Sequence, residues 1–152
     1  METEDDTTIS TAAELGLRTE EFFRAVSFQQ GERPDYDRLH DLFIEDGRLI
    51  KNSSECPEIA TVDQFIAPRQ KLVDSGELTF FHEAEAAEIT EIFGNIAHRF
   101  STYRKHGVMD GTPFEGKGMI STQFIRTPNG WKMSSMAWDD ERPGLAIPDR
   151  YK

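Results

Sequence analysis

Cysteine is almost missing from this chain. Cys56 stands alone, which excludes an intramolecular disulfide and any zinc site built from several cysteines. It precedes Pro57 in a loop-like "SSECPE" with no basic neighbour to depress its pKa, so an inert thiol is expected. Long apolar runs are also lacking: no stretch approaches the ~18 residues that a membrane-spanning helix needs. Positive charge is scarce, with 17 Lys and Arg against 28 Asp and Glu, a net charge of -11 and a pI near 4.8. A field of that sign repels phosphate backbones and anionic lipid, so neither nucleic acid nor membrane is the expected partner. The opening "METEDDTTIS" has no basic segment followed by an apolar one, as a secretory signal would, and a cytoplasmic location is expected. Repeats and low-complexity tracts are absent. So are His-x-His and His-Glu-x-x-His spacings, and no metal is expected.

What remains is a chain of 152 residues, long enough for one domain with a sizeable core. Residues 1–10 read as a frayed arm, 11–141 as the domain and 142–152 as an extended tail with two prolines. From Thr11 the pattern is helical, with Leu15, Phe22, Phe23 and Val26 on one face and Glu14, Glu20, Glu21 and Arg24 on the other. "QQGERPD" breaks that helix. A second short helix from Asp35 places Tyr36, Leu39, Leu42 and Phe43 in a stripe, and "EDGRLI" turns into a short strand. "SSECPEIAT" reads as a loop. Thr61 or Asp63 then caps a third helix running to about Ser75, with Val62, Phe65, Ile66 and Leu72 buried and Pro68 kinking it.

The second half changes period. Residues 78–93 and 96–105 alternate around Gly94-Asn95, and 116–127 and 131–140 around "PNG", as two long hairpins would. "DGTPFEGKG" reads as the connection between them. Helices followed by antiparallel strands predict an α+β fold with helices on one face of a sheet. With a two-residue loop at Gly94-Asn95, Ile89 lies opposite Phe100, Glu91 opposite His98, and Phe93 opposite Ile96. Phe81, Glu83, Glu85, Ile89 and Phe93 then share a face with His98 and Phe100, and its bulk predicts that this face turns toward the helices. Arg99, Ser101 and Tyr103 fall on the other, outer face. In the second hairpin Trp138 needs cover and a partner for its N–H, which favours Ser121, Gln123, Ser134, Met136 and Trp138 as the inward group.

The segments "FFRAVSFQQGERPDYDRLHDLFIEDGRLI" and "GWKMSSMAWDDE" resemble the opening helices and last strand of the nuclear transport factor 2-like superfamily, which includes the SnoaL-like polyketide cyclases. "FHEAEAAEITEIFGNIAHRFSTY" is similar to a bacterial subgroup of it without an assigned activity. The match covers about residues 12–141. It implies a cone-shaped, cystatin-like roll, with three N-terminal helices on a strongly curved antiparallel sheet. It also implies a small-molecule pocket, no metal or other cofactor, and homodimers formed through the outer sheet face. Two departures matter: Phe22, Phe23 and Phe28 stand where ketosteroid isomerase has its oxyanion-hole tyrosine, and the Asp-Arg-Asp relay of limonene epoxide hydrolase is not found.

Within this frame His98 is the candidate acid–base group, because imidazole titrates near neutrality, and Glu85 its orienting partner. The competing account is a histidine bonded to Glu85, Glu91 or Gln123 with no task. Ser121 or Gln123 would position a substrate oxygen, and Tyr36, Phe100 and Trp138 would line the pocket. Glu83 and Glu91 read as solvated rim groups, and Asp139, Asp140 and Glu141 as a solvated strand end. Two functions stay open: a cofactor-independent isomerase, dehydratase or cyclase acting on a mainly apolar molecule, and a non-catalytic ligand-binding or association module.

Overall fold

Three helices lie against one face of a bent six-stranded sheet. The structure, a computed structural model, describes residues 2–152, with side chains from residue 10 onward. Helix α1 runs Glu2–Val26; of residues 1–10, where the sequence suggests a frayed arm, the side chains of residues 1–9 lie outside the described residues. A 3₁₀ turn, Tyr36–Arg38, leads into α2 at Leu39–Leu42. Then come β1 (Phe43–Lys51), β2 (Glu58–Ala60), α3 (Val62–Asp74), β3 (Leu78–Phe93), β4 (Ile96–Met109), β5 (Thr112–Thr127) and β6 (Gly130–Asp140). The tail ends in a 3₁₀ turn at Asp149–Tyr151. No helix among the described residues is long and apolar enough to cross a membrane.

The helices follow from their stripes. Leu15, Phe22, Phe23 and Val26 of α1 are buried, as are Tyr36, Leu39 and Leu42, and all join one core with Phe43 and Leu49 of β1. Thr61 caps α3 through a reciprocal pair of bonds: its hydroxyl accepts from the Gln64 N–H, and the Gln64 side chain accepts from the Thr61 N–H.

The strand order is β2-β1-β6-β5-β4-β3. Every neighbouring pair is antiparallel except β1 and β6, which run parallel, so the sheet is mixed where the sequence predicts an antiparallel one. Two further elements differ from the sequence reading. The expected loop "SSECPEIAT" contains β2, an edge strand paired at Leu49 with Ala60. "DGTPFEGKG" is a hairpin rather than a connection: Asp110 and Gly111 both take positive φ, 51° and 75°, which gives the tight reversal that joins β4 directly to β5.

The first hairpin has the expected register, with Ile89 opposite Phe100, Glu91 opposite His98 and Phe93 opposite Ile96. Its faces are the reverse of expectation around His98. Glu85 pairs with Tyr103 and Ala87 with Thr102, so Ala86 is an extra residue, a β-bulge. Phe81, Glu83 and Glu85 face the helices, but beyond Ala86 the inward set becomes Glu88, Thr90 and Ile92. On β4 the inward residues Ala97, Arg99, Ser101 and Tyr103 are buried, while Thr102 is buried on the outer face, where it donates to the Tyr151 carbonyl. A second bulge at Ser134 lies between the pairs Gln123–Ser135 and Phe124–Met133. It turns Met136 and Trp138 inward alongside Ile120, Thr122 and Phe124, and leaves Ser121 and Gln123 on the outer face.

Candidate active site

Between the concave sheet face and α1 and α3 lies a cavity of about 470 Å³. Phe22, Phe65, Phe81, Phe114, Met136 and Trp138 supply its apolar wall, and Tyr36, Arg69, Glu83 and Lys105 its polar groups. Phe81 and Phe114 stack with centroids 6.2 Å apart, and Phe65 meets Trp138 edge-on at 6.0 Å. Aromatic walls with a few convergent polar groups are the usual make-up of a small-molecule site.

Glu83 is the group whose chemistry the cavity alters most. Burial raises its pKa from 4.5 to about 7, against the opposing pull of Lys105 and Arg69 and with a small push from Asp140. Lys105 is its register partner on β4. The Lys105 ammonium lies 3.0 Å from Asp140 Oδ1, the same oxygen that accepts the Tyr103 hydroxyl bond. Burial alone would raise the Asp140 pKa, but the bonds from Tyr103 and Lys105 outweigh it and hold the carboxyl below its ordinary range. Burial, then the bond to Asp140, push the Tyr103 phenol up, so it stays a donor. Gly118 makes this arrangement possible. A Cβ there would stand 2.3 Å from the Tyr103 hydroxyl and 2.2 Å from the Asp139 carbonyl, closer than any side chain allows.

Tyr36 and Arg69 come from the helical layer. Burial raises the Tyr36 pKa, partly offset by the nearby Arg69 charge. Arg69 follows Pro68 on α3; its guanidinium carbon lies 3.6 Å from the Phe65 ring centroid and its Nη1 donates to the Phe65 carbonyl at 2.9 Å. Burial pulls its pKa below the ordinary value.

The sequence-selected residues divide. Tyr36 and Trp138 line the cavity. His98 does not: its side chain is 56% exposed on the outer face, with Nε2 2.8 Å from Glu91 Oε1. Phe100 lies on that same face with its ring 5.1 Å from Tyr151, and Ser121 and Gln123 join it there. Glu85 is inward but committed elsewhere. It receives two bonds from Arg99, at 2.9 and 2.6 Å, and one from Ser101 at 2.7 Å, beside α1. Burial works against the Arg99 charge, yet Glu85 and Glu88 prevail and raise its pKa. The physical reason for the misplacement is the bulge at Ala86. Strict alternation carries the inward character of Phe81 onto Ile89 and Phe93, and from there onto His98.

Sequence reading took Glu83 for a solvated rim group, Tyr103 for an outer-face residue and Asp140 for part of a solvated strand end, and it did not single out Arg69 or Lys105. A signal existed for Glu83, since Phe81 and Glu83 alternate on one face. For Asp140 and Lys105 none did: their association depends on a pairing across β4, β5 and β6.

No family profile matches the chain, and no curated protein matches it in sequence. Solved structures do match in shape. A nuclear transport factor 2 (NTF2-like) superfamily protein from Salmonella enterica serovar Typhimurium aligns with a TM-score of 0.74 at 14% identity, over 93% of this chain and 99% of that one. LinA aligns with a TM-score of 0.74 at 10% identity, over 91% of this chain and 90% of that one. An NTF2-like protein from Cytophaga hutchinsonii gives 0.65 at 15% identity, over 85% and 97%. The chain therefore has the NTF2-like α+β cone fold. At such identities the likeness defines architecture and leaves activity to the site.

Proposed function

We propose that the cavity binds a small, mainly apolar organic molecule and that Glu83 moves a proton on it, as an isomerase, dehydratase or cyclase step requires. One observation carries this reading: an acid held near a pKa of 7 by burial, on the wall of an aromatic-lined cavity. Near neutral pH such a group is present in both protonation states, and it accepts a proton more readily than an ordinary carboxylate does. Lys105, fixed by Asp140, keeps a positive charge beside it. The Tyr36 hydroxyl is a donor for a substrate oxygen on the helical side. The sequence-based scheme through His98 is not retained, because its ring stands in solvent on the opposite face.

A generic carbon acid tests the proposal without knowledge of the natural substrate. 5-Nitrobenzisoxazole loses its ring C–H proton to a base as the N–O bond breaks, giving a coloured cyanonitrophenolate. The wild-type protein is expected to accelerate this opening with a rate that rises with pH to a plateau, with a midpoint near 7, and Glu83→Gln is expected to abolish it. A rate untouched by Glu83→Gln removes the proposal.

The outer face supports a separate reading, the association of two copies. Phe93 is 83% exposed, Ile96 52% and Ile89 45%, clustered at the end of the first hairpin. Such side chains in contiguous array are costly to leave in water, and a second copy would cover them.

A further inference from the structure

Arg69 is the cavity group that proton transfer leaves without a task. Lys105, the other enclosed cation, is neutralised by Asp140 at 3.0 Å. Among the described residues Arg69 has no carboxylate within ion-pair distance, and the one hydrogen bond it makes sends Nη1 to the Phe65 carbonyl. That bond and the Phe65 ring fix the plane of the guanidinium and leave donors for the cavity. Burial pulls the Arg69 pKa down and outweighs Glu83 and Glu58, which act on its charge from beyond ion-pair distance, so the cation is incompletely compensated. Tyr36 lines the same cavity, and among the described residues its hydroxyl has no hydrogen-bond partner in the protein. The two lie near enough for the Arg69 charge to act on the phenol.

We propose that the ligand of this cavity carries a carboxylate, received by the Arg69 guanidinium together with the Tyr36 hydroxyl. The proposal rests on the cavity reading above and adds the substrate class to it: an aromatic or alicyclic carboxylic acid. A planar carboxylate matches the fork of a single guanidinium. A phosphate dianion fits worse, since its tetrahedral oxygens match a single planar fork less well and the chain carries a net charge of -11. The hydrocarbon body rests against Phe65, Phe81, Phe114 and Trp138. Glu83, on the sheet side, is left to act on the ligand's carbon skeleton and not on its charged end.

The test compares two probes of one shape, 2-naphthoate and 2-naphthalenemethanol, by calorimetric titration into wild type, Arg69→Met and Tyr36→Phe at neutral pH. Wild type is expected to bind the carboxylate at least about tenfold more tightly than the alcohol. Arg69→Met is expected to lose that preference while holding the alcohol as wild type does, and Tyr36→Phe to lose part of it. Should Arg69→Met fail to fold, Arg69→Gln, which keeps a donor for the Phe65 carbonyl, carries the same expectation. Equal binding of both probes by wild type, or a preference that survives loss of the Arg69 charge, overturns the proposal while leaving the cavity reading standing. Binding of neither probe defeats both.

Discussion

The Glu83 carboxyl, on a cavity wall shared with Phe81, Phe114 and Trp138, gives up hydration that its neighbours only partly replace. Its charged form is penalised, and the Glu83 pKa rises from 4.5 to about 7. The stability consequence has a definite sign. A raised native pKa means that the folded protein binds the proton more tightly than the unfolded chain does. The favourable contribution is whole below about pH 4.5 and is lost as pH climbs through about 7. Glutamine stays neutral throughout. Glu83→Gln is therefore expected to match wild type near pH 4.5 and to exceed its stability by about 1–3 kcal/mol near pH 8 in urea unfolding. A variant less stable than wild type at the higher pH would show that Lys105 and Arg69 stabilise the anion more than burial penalises it. Glu85, two residues along the strand, is the opposite case: Arg99 and Ser101 satisfy its oxygens.

At the scale of elements, the strands decide which side chains meet, and two bulges decide it against simple alternation. Much was legible in the sequence. The helical stripes with Tyr36 and Leu39, the capping Thr61, and the register through Glu91 and His98 all stand as the pattern implies. The bulges at Ala86 and Ser134 were not legible, because an extra residue in a strand leaves no mark in composition. Each moves everything beyond it to the other side. The second put Ser121 and Gln123 on the face away from Trp138 and the cavity; the first sent His98 outward and buried Arg99. It also set Ile89, Phe93 and Ile96 in water at the tip of the β3–β4 hairpin. If two copies associate through this face, the wild-type protein is expected to sediment as a dimer and Phe93→Asp as a monomer with unchanged circular dichroism. A monomeric wild type would show that the apolar tip has another use.

For the molecule as a whole, fold and chemistry separate cleanly. The cone architecture follows from helices first and long strands after, and solved structures at 10–15% identity share it. The cavity chemistry follows from contacts between elements remote in sequence. Glu83 comes from β3, Lys105 and Tyr103 from β4, Asp140 from β6, and Tyr36 and Arg69 from the helical layer. The central claim is that enclosure makes Glu83 a proton-transfer group working near neutrality. Carbon-13 NMR of protein labelled at its glutamate carboxyls measures this directly, followed from about pH 4 to about pH 9, with Glu83→Gln identifying the resonance. A Glu83 midpoint near 7 is the expected result; a midpoint at the ordinary 4.5 would contradict the account.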